Sequence, residues 1–376
     1  MLRTQYLDRI NKAFEINQVC ALLGPRQSGK TTISRQYLQS QNISNNVFDL
    51  EDPLDLARLS NPKIAFEQLE GLIIIDEIQR RPELFPVIRV IVDQSDKKFL
   101  ILGSASRDLI QQSSETLAGR ISYIEVAPFS LPEVTKQTQL WVYGGFPRSF
   151  LSTSLENSHN WRKAYIKTFL ERDLRNLGFD ILPENMRRFW TMLAHYHGQI
   201  FNASEMSRSI KLSSKTVDRY VDILSGAFMI RRLKPWFENI KKRQVKSSKI
   251  YFRDSGLFHT LIGITDNLDT HPKIGASWEG FALEEIIRSM GVDNDDCYFW
   301  ATQANAELDL LILLDGKRIG FEFKYSDSPK ITKSMHIAIE DLKLDKLNVI
   351  IPLKTNFKLS EKIEVFGLES FLVTRT

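Results

Sequence analysis

With only two cysteines in 376 residues, Cys20 and Cys297, the sequence excludes a disulfide framework and a cysteine-rich zinc site. Both stand beside apolar segments and read as buried thiols in a reducing compartment. No apolar stretch is long enough to span a bilayer, and the opening Met1-Leu2-Arg3-Thr4-Gln5-Tyr6 is not a secretory leader. The expectation is a soluble, cytoplasmic protein with no membrane partner. One-sided charge is lacking too, since 50 Lys and Arg face 46 Asp and Glu. A nucleic-acid signal, if present, must therefore be local. With 43% hydrophobic residues the chain can bury a core large enough for two or three domains.

What is present begins at residue 24. Gly24-Pro25-Arg26-Gln27-Ser28-Gly29-Lys30-Thr31-Thr32 follows the apolar run Val19-Cys20-Ala21-Leu22-Leu23 and precedes a helical stretch, Thr31 to Leu38. This is a full G-x-x-x-x-G-K-[ST] phosphate loop in the context that makes it work. Backbone N–H groups and the positive end of the next helix must face the phosphates of ATP, and glycines permit the tight turn. Lys30 contacts the β- and γ-phosphates, Thr31 binds Mg²⁺, and Thr32 continues the helix start. Arg26 is open between phosphate, a partner protein and neither.

A second segment, Gly71-Leu72-Ile73-Ile74-Ile75-Asp76-Glu77, reads as a buried parallel strand ending in two acids. Ligands of open α/β sheets bind at the carboxyl ends of the strands. Asp76 is expected to hold Mg²⁺ with Thr31, and Glu77 to orient and deprotonate the attacking water. Taken alone, the pair reads first as an ordinary solvated strand end; the phosphate loop is what turns the reading to catalysis.

Strands and helices alternate from residue 19 to about 127, the pattern of a parallel α/β sheet. Val47 to Leu50, Phe99 to Ser104 and Ile121 to Val126 are further strands, with a helix through Ile88 to Val92. Ser104 reads either as a sensor of the γ-phosphate or as a helix N-cap. Arg120 is expected near the catalytic edge, to neutralise transition-state charge in its own site or a neighbour's. Arg107 and Arg172 rank behind it.

In the middle, residues 158–180 carry Trp161, Tyr165, Phe169 and Leu174 at helical spacing, an amphipathic helix expected to pack on the ATPase core as a lid. His195 and His197 read as ordinary histidines at a helix end. Ala203 to Ile210, a turn at Lys211-Leu212-Ser213, and Ser214 to Leu224 form a helix-turn-helix followed by a strand, the pattern of a winged helix. Ser214, Lys215, Asp218 and Arg219 face outward. A basic stretch follows: Arg231, Arg232, Lys234, Lys241, Lys242, Arg243, Lys246 and Lys249. It could meet a phosphate backbone or, equally, serve protein contacts.

In the last third, Trp278 to Ile287 is a helix, and Cys297 to Trp300, Glu307 to Leu313 and Arg318 to Lys324 are strands. The Asp315-Gly316 turn brings the third back along the second. Alternation then puts Glu322 and Lys324 on one face beside Asp309. This is the Asp…Glu-x-Lys arrangement of restriction-type nucleases, two carboxylates for Mg²⁺ and a lysine that polarises water or stabilises charge. Glu279 is the expected third acid, with Glu307 as a substitute. A Glu-x-Lys whose charges simply pair is the alternative.

Gly-Pro-Arg-Gln-x-Gly-Lys-Thr-Thr, Asp-Glu-Ile-Gln before Pro-Glu-Leu-Phe-Pro, Gly-Ser-Ala-Ser, Leu-Ala-Gly-Arg and Tyr-Gly-Gly-Phe-Pro occur in that order. As a series they resemble a prokaryotic family of AAA+-like P-loop ATPases, from near residue 15 to beyond residue 325. The resemblance implies an ATPase core, a winged-helix segment and a C-terminal domain related to restriction-type (PD-(D/E)XK) nucleases. Leu102 stands where that family often has threonine, which leaves Ser104 as the nearby hydroxyl.

The expected fold class is therefore α/β: a P-loop NTPase parallel sheet, then a winged helix and a small mixed α/β nuclease-like domain. The expected divisions are 1–135 for the ATPase, 136–200 for a helical lid, 201–265 for the winged helix and 266–376 for the nuclease-like domain. The expected function is Mg²⁺-dependent ATP binding and hydrolysis, acting on or with nucleic acid, DNA favoured, as a possible homo-oligomer. The alternative is an ATP-dependent switch that binds a partner protein and carries an inactive C-terminal domain.

Overall fold

Alternate residues of one buried strand feed two separate cores. In β1, Val19–Gly24, the side chains of Val19, Ala21 and Leu23 join one hydrophobic cluster, while Cys20 and Leu22 join another. A strand covered on both faces must be apolar at every position, which this one is. The computed structural model describes residues 1–41, 46–104, 113–240, 242–265 and 268–374. It divides into two compact units: Met1–Pro128 with Gly226–Phe228, and Phe129–Ser225 with Met229–Thr376.

In the first unit β1 is joined by β2, Asn46–Asp49, β3, Leu72–Asp76, β4, Lys98–Ser104, and β5, Ile121–Glu125. Among the described residues these five form one sheet in the order β2-β3-β4-β1-β5, parallel at every pairing. One core holds helix Leu84–Gln94, through Ile88 and Ile91. The other holds helices Thr4–Ile16 and Lys30–Gln41, through Ile10, Ile33 and Tyr37. The first unit thus has three layers, with every strand's carboxyl end on one edge. Its main stretch ends at Pro128, seven residues before the expected boundary.

In the second unit the strands are β6, Gln199–Ile200, β7, Ile230–Pro235, β8, Lys249–Phe252, β9, Cys297–Ala301, β10, Glu307–Leu314, β11, Lys317–Phe323, β12, Lys346–Ile351, β13, Asn356–Lys358, and β14, Ile363–Gly367. Among the described residues they form one mixed sheet, β13-β14-β12-β11-β10-β9-β7-β8-β6. Parallel pairing of Lys234 with Tyr298 and Pro235 with Phe299 carries the sheet from β7 into β9. The expected division at residue 265 is therefore no break in the sheet. Helix Ile274–Met290 sends Trp278, Phe281, Leu283 and Ile286 into the core beneath β10 and β11.

The stretch read as a lid is helix Leu155–Thr168 running into a wider turn, Phe169–Asp173. Its apolar face packs inside the second unit, where Tyr165 meets Phe146 and Phe169 meets Trp190. Its aromatic residues thus find aromatic partners within the second unit.

Candidate functional site

The phosphate loop leaves β1 at Gly24, which register pairs with Ser104 at the end of β4. A Cβ on Gly24 would stand 2.2 Å from the Val126 carbonyl oxygen, so only glycine fits there. Gln27 and Gly29 have φ of 63° and 99°, and Lys30 opens the helix. Lys30 is buried, and its Nζ donates to the Gly24 and Pro25 carbonyls at 3.0 and 2.9 Å. Pro25, Ser28 and Thr32 lie within the same turn and helix start. The Ser28 hydroxyl is buried without a hydrogen-bond partner among the described residues.

The hydroxyl of Thr31 donates to Asp76 Oδ2 at 2.7 Å. Two segments 45 residues apart in the chain therefore meet at the loop. Glu77 follows with φ 56° and ψ 42°, left-handed backbone that breaks the strand and turns the chain. Its carboxylate accepts from Gln79 Nε2 and lies 3.7 Å from the Arg26 guanidinium, which also reaches Glu51 at 3.2 Å. Gln79 Oε1 in turn accepts from the Ser104 amide at 3.2 Å. Gln79 thus joins the acid at the end of β3 to the end of β4. Its role has only a faint signal in the sequence, an amide two residues beyond the acid. The Ser104 hydroxyl is also buried without a partner among the described residues.

Arg120 is not brought to this edge. It precedes β5, whose Ile121 pairs with Val19 at the start of β1, the end of the sheet opposite the loop. There it forms a two-point ion pair with Asp93, Nε to Oδ1 at 2.5 Å and Nη2 to Oδ2 at 3.2 Å. In parallel strands, a residue before the strand necessarily falls on the amino edge, so Arg120 does not serve its own chain's loop. Arg172 is exposed within the second unit. Arg107 lies outside the described residues.

In the second unit, Glu279, Asp309, Glu322 and Lys324 converge. Leu310 pairs with Phe321, so Asp309 and Glu322 face each other one step further on. Asp309 Oδ2 accepts from the Phe323 amide at 3.0 Å, and Lys324 Nζ reaches Glu322 at 2.7 Å and Asp309 at 3.9 Å. A second lysine, Lys249 of β8, enters the same cluster. It is 2% exposed, pairs with Glu307 and lies 3.6 Å from Glu279 and 3.8 Å from Asp309. Tyr251 donates to Glu279 at 2.5 Å. Burial first, and the Asp309 charge second, push Glu279 up to about 7 and Glu322 up to about 8. Burial would pull the Lys249 ammonium down, but Tyr251, Glu279, Asp309 and Glu307 outweigh it and raise it.

These oxygens are of the kind Mg²⁺ prefers, yet each acid already has an ammonium group beside it. Among the described residues no three His, Cys, Asp or Glu side chains stand together as a metal-binding group. The lysines and carboxylates of the cluster are bridged to one another as an ion network.

Helix Ala203–Ile210, a turn with Lys211 at φ 56°, and helix Ser214–Gly226 match the helix-turn-helix reading. Val217, Tyr220, Val221 and Leu224 are buried, while Ser214, Lys215, Asp218 and Arg219 are exposed. The basic stretch differs from expectation. Arg231 is buried against Glu284, Lys249 lies in the acidic cluster, and Lys234 and Lys242 pair with Asp295 and Asp341. On either side of residue 241 the stretch is tied to β9 and the residue after it, by Trp236 N to Phe299 O at 2.7 Å and by a bridge from Gln244 to Thr302. Among its described basic residues, Arg243 and Lys246 are exposed. Lys241 lies outside the described residues. His195 is exposed and His197 buried, so they form no pair. Burial pushes His197 down to about 3, and its Nδ1 accepts from the Phe252 amide at 2.9 Å.

A phosphate loop whose threonine meets a strand-end acid, set on a five-stranded parallel sheet, defines an ATP-binding P-loop unit of the AAA class. Residues 16–135 match the AAA domain family, 134–268 a domain of unknown function (DUF8612) and 274–371 a second one (DUF4143). The chain belongs to the family of the uncharacterized protein Rv2008c of Mycobacterium tuberculosis. The two are 46% identical over 372 residues, 97% of this chain and 83% of that one. An uncharacterized protein of Haemophilus influenzae is 24% identical over 294 residues, covering 69% of this chain and 73% of its own. Among solved structures, the Walker-type ATPase PABY2304 of Pyrococcus abyssi is similar in fold, with TM-score 0.50 and 14% identity over 69% of this chain and 95% of that one. No helix among the described residues is long and apolar enough to cross a membrane.

Proposed function

We propose that the protein is a Mg²⁺-using ATPase that acts on or with nucleic acid, DNA before RNA. The observation that carries the ATPase half is the 2.7 Å hydrogen bond from Thr31 to Asp76. A hydroxyl and a carboxylate are hard oxygen donors, and their contact puts both within reach of one small cation. Thr31 and Asp76 would hold Mg²⁺, which when bound would offset the charge of the phosphates. Lys30 would turn from the Gly24 and Pro25 carbonyls to the β- and γ-phosphates. The loop from Gly24 to Thr32 would cradle them through its amides. Glu77, held by Gln79, would orient the water and take its proton. The buried, unpartnered Ser104 hydroxyl suits a contact to the terminal phosphate. Arg120, on the far edge, would act only in a neighbouring copy's site, which makes a homo-oligomer part of the reading.

The exposed Lys215 and Arg219 on the second helix of the helix-turn-helix support the nucleic-acid half, read as a winged helix. Turnover stimulated by duplex DNA at low salt, falling steeply as salt rises and lost in Lys215→Ala/Arg219→Ala, is the expected result. Turnover indifferent to DNA and RNA would remove this half.

One observation favours the second reading, a partner-protein switch with an inactive C-terminal domain. Lys249, which is no part of the Asp…Glu-x-Lys arrangement, already lies against carboxylates that a nuclease of the restriction type would give to metal, Glu279 at 3.6 Å and Asp309 at 3.8 Å. Metal-dependent nicking that survives Lys30→Ala and disappears in Asp309→Ala, Glu322→Gln or Lys324→Ala would exclude it. No nicking of single- or double-stranded DNA or of RNA supports it.

A further inference from the structure

Arg3 lies outside every motif, just before helix Thr4–Ile16, yet it is only 3% exposed. Its Nη1 donates to the Ser28 carbonyl at 3.0 Å. Its Nη2 donates to the Ala127 carbonyl at 3.0 Å and reaches that of Pro128 at 3.4 Å. The guanidinium lies 4.5 Å from the centroid of the Tyr6 ring, and the Tyr6 hydroxyl accepts from the Ala127 amide at 3.2 Å. All of these residues belong to the first unit.

Burying a cation at a helix N-terminus works against both desolvation and the helix dipole. An apolar side chain would fill the space at lower cost. What arginine adds is a planar fork whose two Nη groups hold separate carbonyls in fixed directions, a geometry that an ammonium group does not impose.

One of those carbonyls sits inside the phosphate loop. A trans peptide points its C=O and the following N–H in opposite directions. Holding Ser28 O therefore fixes the direction of the Gly29 N–H, one of the amides that precede Lys30. Gly29, at φ 99°, has no side chain to fix its own conformation.

We propose that Arg3 is a positioning residue for the phosphate loop. It grips the Ser28 carbonyl so that the Gly29 amide faces the incoming phosphate. The same guanidinium ties the loop to Ala127 and Pro128, where the chain leaves the ATPase unit. This role rests on nucleotide binding at the loop.

The test is the dissociation constant of a non-hydrolysable ATP analogue, with kcat and KM for ATP, on the full chain carrying Arg3→Ala, Arg3→Lys or Tyr6→Phe. Arg3→Ala should weaken the analogue and raise KM about tenfold, the scale of one lost charge-assisted hydrogen bond. Arg3→Lys, which keeps the charge but not the fork, should recover part of the loss and carries the comparison if the alanine variant does not fold. Tyr6→Phe removes the acceptor of the Ala127 amide but not the Ser28 contact. It should lower the melting temperature and leave the dissociation constant unchanged. Unchanged affinity in Arg3→Ala, or in Arg3→Lys where that variant stands in for it, overturns the proposal. So does an equal loss in Tyr6→Phe, which would mean general loosening. Wild-type protein that binds no analogue overturns the nucleotide reading itself, and this role with it.

Discussion

The side chains of Thr31 and Asp76, at the start of one helix and the end of a strand two places away in the sheet, are joined by a 2.7 Å hydrogen bond. If they share a cation when nucleotide is bound, removing either the hydroxyl or the metal should have overlapping effects. Wild type should bind an ATP analogue about tenfold more weakly in EDTA than in Mg²⁺. Thr31→Ala should already be weak in Mg²⁺ and lose little more in EDTA. Independent, multiplying losses would count against a shared site.

Gln79 holds Glu77 from one end and the Ser104 amide from the other. Gln79→Ala should lower kcat on the order of tenfold with little change in KM, because the base loses its orientation while phosphate contacts remain. A change confined to KM would assign Gln79 to nucleotide binding instead.

The ATPase elements were legible because their chemistry is local in sequence. A glycine-rich turn between strand and helix, and acids ending a β-branched run, carry their own geometry. The facing of Asp309, Glu322 and Lys324 was equally legible, since a tight turn and strand alternation fix it. Lys249 was not: its partners Glu279, Glu307 and Asp309 come from a distant helix and strand, and basic neighbours made it look like a surface charge. Arg120 lies on the opposite edge because a residue that precedes a parallel strand stands at its amino end, away from the phosphate loop. The continuous second sheet was hidden because the β7–β9 pairing joins segments more than 60 residues apart.

Lys249 is buried among three carboxylates. Lys249→Met should destabilise the protein by about 3 kcal/mol, since breaking a buried pair strands the partner charges. Glu307→Gln, at a half-exposed position, should cost far less. Denaturant unfolding followed for the second unit reads both. Equal small effects would show that the lysine is screened by water.

Glu284 lies under three guanidinium groups: Arg231 Nη2 at 3.0 Å, Arg253 Nε at 3.3 Å and Arg288 Nη2 at 3.7 Å. Burial alone would raise its carboxyl, but the arginines outweigh burial and hold it down at about 2, against an ordinary 4.5. The folded state therefore binds fewer protons than the unfolded chain between these values. The resulting stability is fully present above pH 4.5 and is lost as pH falls toward 2, about 3 kcal/mol in all. Unfolding free energies measured down through this window should fall more steeply for wild type than for Glu284→Gln. Parallel pH profiles would contradict the assignment.

Steady-state ATP turnover set beside nucleotide binding, in wild type, Lys30→Ala and Glu77→Gln, tests the central claim most directly. Wild type should hydrolyse ATP in Mg²⁺. Glu77→Gln should bind the nucleotide as wild type does yet lose at least about a hundredfold in turnover, and Lys30→Ala should lose binding as well. A Glu77→Gln protein that turns over ATP at the wild-type rate would contradict the account.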